Sequence, residues 1–433
     1  MKTSIRWALG LCLLAGGAAA ALWFVNLRDE GDLTAPSAVI AVDKNLLARG
    51  AYLASAGNCL ACHSARGGQP YAGGLGIATP FGTVFTSNLT PDAGTGIGSW
   101  STAEFWRAMH NGRSKSGRLL YPAFPYTSYT QVTREDSDAM FAYLRSLPAV
   151  VQPNQPHALR FPYQLQAALA VWRALYFEPG VYQPDASRNA EWNRGAYLVK
   201  GLGHCSACHA ARDALGGARP VAAQAPAGGV IPVLNWYAPS LVSPFEAGVG
   251  DWSRDDIVSL LKNGIAPGAS VAGPMAEVVL RSTQHLTLED LGAMAQYLKE
   301  LPASVQASGA SVATATASSA SLNSPQAAKL YEQHCAQCHG DKGQGVANAY
   351  PPLAGNRAVT MASMENLVQI VLNGGYAPAT AGNPRPFGMP PFLLVLSDSE
   401  VAAVLTYIRT AWGNQASEMT PLQVQRIRAN PAR

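Results

Sequence analysis

The chain has 433 residues, 48% of them hydrophobic, with 31 Lys and Arg against 27 Asp and Glu. That length is too great for one compact core and points to about three domains of roughly a hundred residues each; the net charge of +4, spread along the chain rather than clustered, excludes a nucleic-acid footprint. Charged residues make up only 13%, with 41 Gly and 30 Pro, a composition that suits either docking onto other proteins or a loop-rich cover over something kept dry.

Lys2 and Arg6 precede an uncharged, mostly apolar run from Trp7 to Val25, closed by Asn26 and Arg28. This is an export signal, and the small residues around Ala20 and Ala21 offer a cleavage site. Cleavage there would leave Leu22, Trp23, Phe24 and Val25 at an exposed new terminus, whereas the intact run is about long enough to span a bilayer. The expectation is an uncleaved anchor over 1–27 with its basic end cytoplasmic. Cys12 inside it is read as lipid-facing filler, and a linker over 28–43 follows.

One plan then recurs at 44–148, 191–302 and 323–413. Arg49-Gly50-Ala51-Tyr52-Leu53 opens the first copy, Arg194-Gly195-Ala196-Tyr197-Leu198 the second, and Lys329-Leu330-Tyr331 the third, each reading as a short helix. Leu89 is followed 11 residues later by Trp100 and 22 later by Asn111-Gly112; Leu241, Trp252 and Asn263-Gly264 keep identical intervals. The third copy keeps Leu353 and Asn373-Gly374, twenty apart, without the tryptophan. Asn-Gly after an apolar-periodic segment is a helix stop, because either residue enters the left-handed region cheaply. An amphipathic helix closes each copy, around Tyr143-Leu144, Tyr297-Leu298 and Tyr407-Ile408. Between copies, 149–190 is rich in Pro, Phe, Tyr and Trp and should pack on its neighbours. The stretch 303–322 is an Ala/Ser/Thr tether, and 414–433 reads as a tail.

Every cysteine outside the anchor belongs to a Cys-x-x-Cys-His unit: Cys59, Cys62 and His63; Cys205, Cys208 and His209; Cys335, Cys338 and His339. This is the attachment spacing of c-type haem. Two thiols a helical turn apart can bond the two vinyl groups of one porphyrin, and the adjacent histidine faces the iron. Zinc knuckles would need the Cys-x-x-Cys pairs to approach one another, and redox dithiols would not need the histidine. Three covalently bound haem c groups are therefore expected, attached outside the cytoplasm.

A methionine opposite the histidine raises a haem's reduction potential. Met275 in the second copy and Met389 in the third lie between the Asn-Gly stop and the last helix, the interval for such a ligand. The first copy has no methionine there; Phe124 holds the slot. Its haem is expected to be five-coordinate, or to take an unexpected ligand such as His110, at lower potential; the alternative is that the loop folds so that Met109 or another side chain reaches the iron. Met140 and Met294 share one repeat position and read as core. His204 and His334 precede cysteines, and His157 and His285 read as surface residues.

The order of elements resembles the class I cytochrome c fold, which implies an all-α protein of three tandem haem domains after the anchor helix. It also implies a hydrogen bond from the haem histidine to a proline carbonyl about a dozen residues on, as Pro351 stands twelve after His339; Pro239 and Ser87 fill the matching places. More specifically, Phe81-Gly82-Thr83, Ser87-Asn88-Leu89-Thr90-Pro91-Asp92, Thr95-Gly96-Ile97-Gly98 and Trp100-Ser101 resemble the tri-haem cytochrome subunits of bacterial membrane-bound dehydrogenases. That resemblance implies electrons entering from a quinoprotein, flavoprotein or molybdenum catalytic subunit and leaving to ubiquinone or a terminal oxidase, on the periplasmic side of the inner membrane. Phe124 departs from the family pattern and tilts the expectation slightly toward a molybdenum partner. The rival readings are a periplasmic haem peroxidase and a free-standing respiratory relay.

Overall fold

The computed structural model describes residues 2–28, 30, 42–218, 226–304 and 324–429; within the first helix the side chains of 2–6, 8, 9, 12 and 15 are also outside the described residues, Cys12 among them. The Ala/Ser/Thr tether lies outside them from residue 305 on. In chain order come α1 (Lys2–Leu27), α2 (Lys44–Ala56), the α3 turn (Cys59–Cys62), a β1–β2 hairpin (Gly76–Thr79, Gly82–Phe85), α4 (Thr102–Asn111), α5 (Tyr126–Tyr129), α6 (Arg134–Ser146), β3 (Ala158–Leu159) and α7 (Gln166–Tyr176). The second copy has α8 (Ala190–Lys200), the α9 turn (Ser206–His209), β4 (Gly229–Ile231), β5 (Trp236–Ala238), α10 (Arg254–Asn263), β6 (Ile265–Ala266), β7 (Ala269–Ser270), α11 (Pro274–Arg281) and α12 (Leu288–Lys299). The third has α13 (Pro325–His334), the α14 turn (Ala336–His339), α15 (Arg357–Thr360), α16 (Glu365–Asn373), β8 (Gly375–Tyr376), β9 (Gly388–Met389), α17 (Asp398–Thr410) and α18 (Pro421–Ala429).

The fold is mostly helical, and the short antiparallel pairings β1-β2-β3, β4-β5, β6-β7 and β8-β9 qualify the all-α expectation. They are short pairings rather than a layer: β4–β5 spans three residue pairs, Gly229 with Ala238 to Ile231 with Trp236. Among the described residues no helix is long and apolar enough to cross a membrane.

The chain divides into two compact units: Met1–Ala54, Cys62–Gln183 and Arg212–Val221, and Ser55–Ala61, Pro184–Ala211 and Ala222–Arg433. In the first, α2 lies against α6 at Gly50, where a Cβ would strike the Ala139 carbonyl, and Arg49 Nε donates to Asp136 at 2.8 Å. The 149–190 connector adds β3 to the hairpin, with Gly82 opposite Leu159, and buries Leu169, Tyr176 and Phe177. Its Arg173, 2% exposed, lies 4.4 Å from the Phe177 ring centre and donates from Nε to Asn26 Oδ1 at 2.9 Å and from Nη1 to the Asn111 carbonyl at 2.5 Å. A buried guanidinium with acceptors on α1 and on the end of α4 ties these segments together, because losing either acceptor would leave a desolvated charge.

The second unit holds the other two copies. Gly195 meets the Ala293 carbonyl, and Arg194 forms two 2.7 Å bonds to Asp290, repeating the α2–α6 crossing between α8 and α12. In the third copy Tyr331 of α13 packs 5.6 Å from Tyr407 of α17. The segment read from sequence as a tail belongs to this core: Met419 and Val424 are buried with Val368, Leu372, Val401 and Leu405, and Arg428 Nε bonds Asp398 at 2.6 Å. Full burial of such aliphatic side chains is worth about 1.5–3 kcal/mol each.

Helix ends follow local chemistry. Ser101 with Glu104, and Ser397 with Glu400, form reciprocal capping boxes on α4 and α17. Ser253 caps α10. Gly112 and Gly264 stop α4 and α10 at φ of 59° and 78°, the left-handed conformation the Asn-Gly pairs foretell.

Candidate functional site

Each Cys-x-x-Cys-His unit forms a helical turn. The N–H groups of Cys208 and His209 bond the Cys205 carbonyl at 3.2 and 2.9 Å, and those of Cys338 and His339 bond the Cys335 carbonyl at 3.1 and 2.9 Å. Such a turn carries both thiols and the imidazole out of one short segment. Among the described residues no disulfide joins any of the six motif cysteines. Burial, reinforced by the neighbouring Cys208 thiol, pushes Cys205 up to about 12, and burial with Cys338 pushes Cys335 up to about 11. Held protonated, these two thiols are poor nucleophiles for disulfide exchange. Among the described residues no group of three or more His, Cys, Asp or Glu converges to hold a bare metal ion.

The three histidines share one environment. His63 Nδ1 faces the Ser87 carbonyl at 2.7 Å, His209 Nδ1 the Pro239 carbonyl at 2.7 Å, and His339 Nδ1 the Pro351 carbonyl at 2.9 Å. A carbonyl only accepts, so the proton sits on Nδ1 and the Nε2 lone pair is left for a metal. Burial lowers the pKa of all three rings, partly offset by those carbonyl bonds, and so favours the neutral imidazole that ligation needs.

A second set of residues was not legible in the sequence. Gly73, Gly228 and Gly345 donate their N–H groups to the carbonyls of His63, His209 and His339 at 2.8, 2.7 and 2.8 Å. All three are left-handed, with φ of 73°, 82° and 67°. A Cβ on each would strike the backbone of the segment presenting the Nδ1 acceptor, at Ser87, Ala238 and Ser240, or Pro351 and Pro352. Two residues past each acceptor, Leu89, Leu241 and Leu353 donate to the Tyr71, Pro226 and Gly343 carbonyls at 2.8, 2.9 and 2.7 Å. One hydrogen-bonded frame around the histidine is thus built three times.

The remaining candidates fall into place by repeat position. Met275 is half-buried in the first turn of α11, and Met389 is half-buried on β9 against the third core. Leu120 N–H bonds the Gly112 carbonyl at 2.8 Å and Val271 N–H the Gly264 carbonyl at 2.9 Å; four residues beyond these matched anchors stand Phe124 and Met275. Met140 and Met294 are 1% and 3% exposed, as core positions should be. His204, at φ 37°, hydrogen-bonds the backbone of Gly57. His334 packs 5.8 Å from the Phe392 ring. His157 and His285 are exposed, and His157 Nδ1 accepts from the Phe85 N–H at 3.2 Å.

A neutral imidazole presenting Nε2 and two thiols one turn apart make the donor set of a covalently attached haem, and the residues fit that group. The cytochrome c family model matches residues 47–148 and 325–412. The chain is 39% identical, over 89% of its own length and 85% of the relative's, to the cytochrome c subunit of the quinone alcohol dehydrogenase of Gluconacetobacter polyoxogenes. It is 38% identical to the gluconate 2-dehydrogenase cytochrome c subunit of Pantoea cypripedii, over 86% of each chain. It is also 38% identical to one subunit of the nicotinate dehydrogenase of Pseudomonas putida, where 98% of this chain matches 36% of the relative.

Proposed function

Since this chain belongs to the family of cytochrome c subunits of dehydrogenases, we propose that it carries three haem c groups, accepts electrons from a dehydrogenase catalytic subunit, and passes them to ubiquinone or a terminal oxidase. The observation that carries the reading is the frame repeated around His63, His209 and His339. When bound, a haem supplies a one-electron carrier. The chain's own residues do the rest: the cysteine pairs hold the ring covalently, the carbonyl-tethered histidines fix one tautomer and orientation, and the surrounding apolar helices exclude water. Met275 and Met389 are proposed as the opposing ligands of the second and third groups, which raises their potentials.

The proposed location is the periplasmic face of the inner membrane, with α1 as anchor. In support, Lys2 and Arg6 precede the apolar run, and Trp7, Leu11, Leu13, Leu14, Trp23 and Phe24 on α1 are exposed. Its last turn is tied into the fold through Asn26, whose side-chain amide donates to the Ala170 carbonyl at 3.0 Å.

Gentle purification from membranes tests the function. A co-purifying dehydrogenase whose substrate reduces the bound haems is the expected result. A lone cytochrome with rapid peroxide turnover and no reduction by any dehydrogenase fraction would overturn it.

A further inference from the structure

The first copy lacks a counterpart of Met275 and Met389, and the other copies serve as internal controls for Met109, Met140 and His110, three side chains that could replace it. Met109 stands three before Gly112; the same position is Leu261 in the second copy and Val371 in the third, and all three are buried, at 4%, 8% and 7% exposure. Met140 aligns with Met294 and with Val404, again all buried. Because the second copy has both Met294 and Met275, the shared position is a packing position.

His110 is the subtler case. Its Nδ1 faces the Thr130 carbonyl at 2.9 Å, and its ring stacks on Trp106 at 4.6 Å. The matching residue of the second copy is Lys262, whose Nζ donates to the Leu286 carbonyl at 2.6 Å. Thr130 and Leu286 both lie just before the cap of the closing helix, and the third copy places buried Leu372 at this position. In the first two copies the position therefore pins the end of one helix to the loop before the last, and in the third it is a packing position. The sequence holds eight histidines and nine methionines. The other methionines in the described residues, Met361, Met364 and Met419, lie in the third copy.

Phe124 remains at the ligand position, four residues past the Leu120 anchor as Met275 is past Val271. Its ring lies 5.2 Å from that of Tyr129, and the adjoining cluster of Val84, Tyr121 and Leu169 is apolar. A phenyl ring cannot ligate iron, and it adds no charge or proton donor.

We infer that the haem held by Cys59, Cys62 and His63 is five-coordinate, and that its Phe124 side is a binding site for a small, uncharged ligand of the carbon monoxide class. Anions are disfavoured there, because the Phe124 ring and the Tyr129 ring beside it carry no positive charge to balance theirs. The inference rests on the haem reading of the three motifs, and covalent haem content tests that reading separately.

The experiment is a carbon monoxide titration of the dithionite-reduced, detergent-purified full chain, followed optically, beside its intact mass. Three haems by mass with one carbon monoxide bound per chain is the expected result. Three haems and no binding would overturn the open site while leaving the haem reading intact; fewer than three haems would overturn the haem reading itself. In Phe124→Met the stoichiometry should fall from one to zero with haem content unchanged. His110→Ala should leave it at one; a rise from zero to one in that variant would make His110 the ligand and refute the inference. If either variant fails to fold, the wild-type stoichiometry still decides.

Discussion

The first and second copies share their helix-crossing glycines, their Trp-to-Asn-Gly spacing and the hydrogen bonds around their histidines, yet they differ at one chemically decisive place, Phe124 against Met275. A duplicated scaffold can thus keep its framework intact while one side chain changes what the site does.

The largest expected effect erases the difference from the other side. Met275→Ala should give the second copy an open position like the first, so that the reduced chain takes up two carbon monoxide molecules instead of one and the second haem's potential falls; optical titration and potentiometry read both. Gly228→Val attacks what the copies share. It forces a branched residue into the left-handed region and into the backbone beside the His209 acceptor, about 3 kcal/mol or more when strain and overpacking are combined. The expected outcome is loss of that haem by mass with the first retained; loss from both would mean the copies do not fold independently.

The crossing of the first and last helices separates the copies more finely. Arg49→Ala removes one partner of Asp136, whose side chain is only 4% exposed, whereas Arg194→Ala removes one partner of Asp290, whose side chain is 10% exposed. Denaturant unfolding should show a loss of about 1–3 kcal/mol for the first and less for the second, since water reaches Asp290 more readily. The smallest effect is at the caps: Ser101→Ala should cost about 1 kcal/mol, and slightly more than Ser253→Ala, because Ser101 belongs to a reciprocal box with Glu104.

The parts legible in the sequence were those encoded locally or by repetition. The cysteines and histidines sit in one turn, the Asn-Gly stops are short-range signals, and Phe124 stood out only because the second copy offered a comparison. The glycines under each histidine were hidden because they lie 10, 19 and 6 residues beyond it. Loops of different length return to the same carbonyl, and no fixed spacing survives. The role of His110 was equally invisible: histidine, lysine and leucine at one position look unrelated until two of them are seen bonding loop carbonyls ahead of the closing helix. Residues 414–433 read as a tail because the contacts that anchor the described part, Met419 and Val424, are sparse and meet partners far back in the chain.

The proposed three haems, with the one on the Phe124 side set apart by its missing methionine, are tested most directly by a coulometric reductive titration of the detergent-purified full chain. The predicted result is uptake of three electrons per chain, with the haem on the Phe124 side reduced at a potential well below the other two. Uptake of fewer than three electrons, or three at indistinguishable potentials, would contradict it.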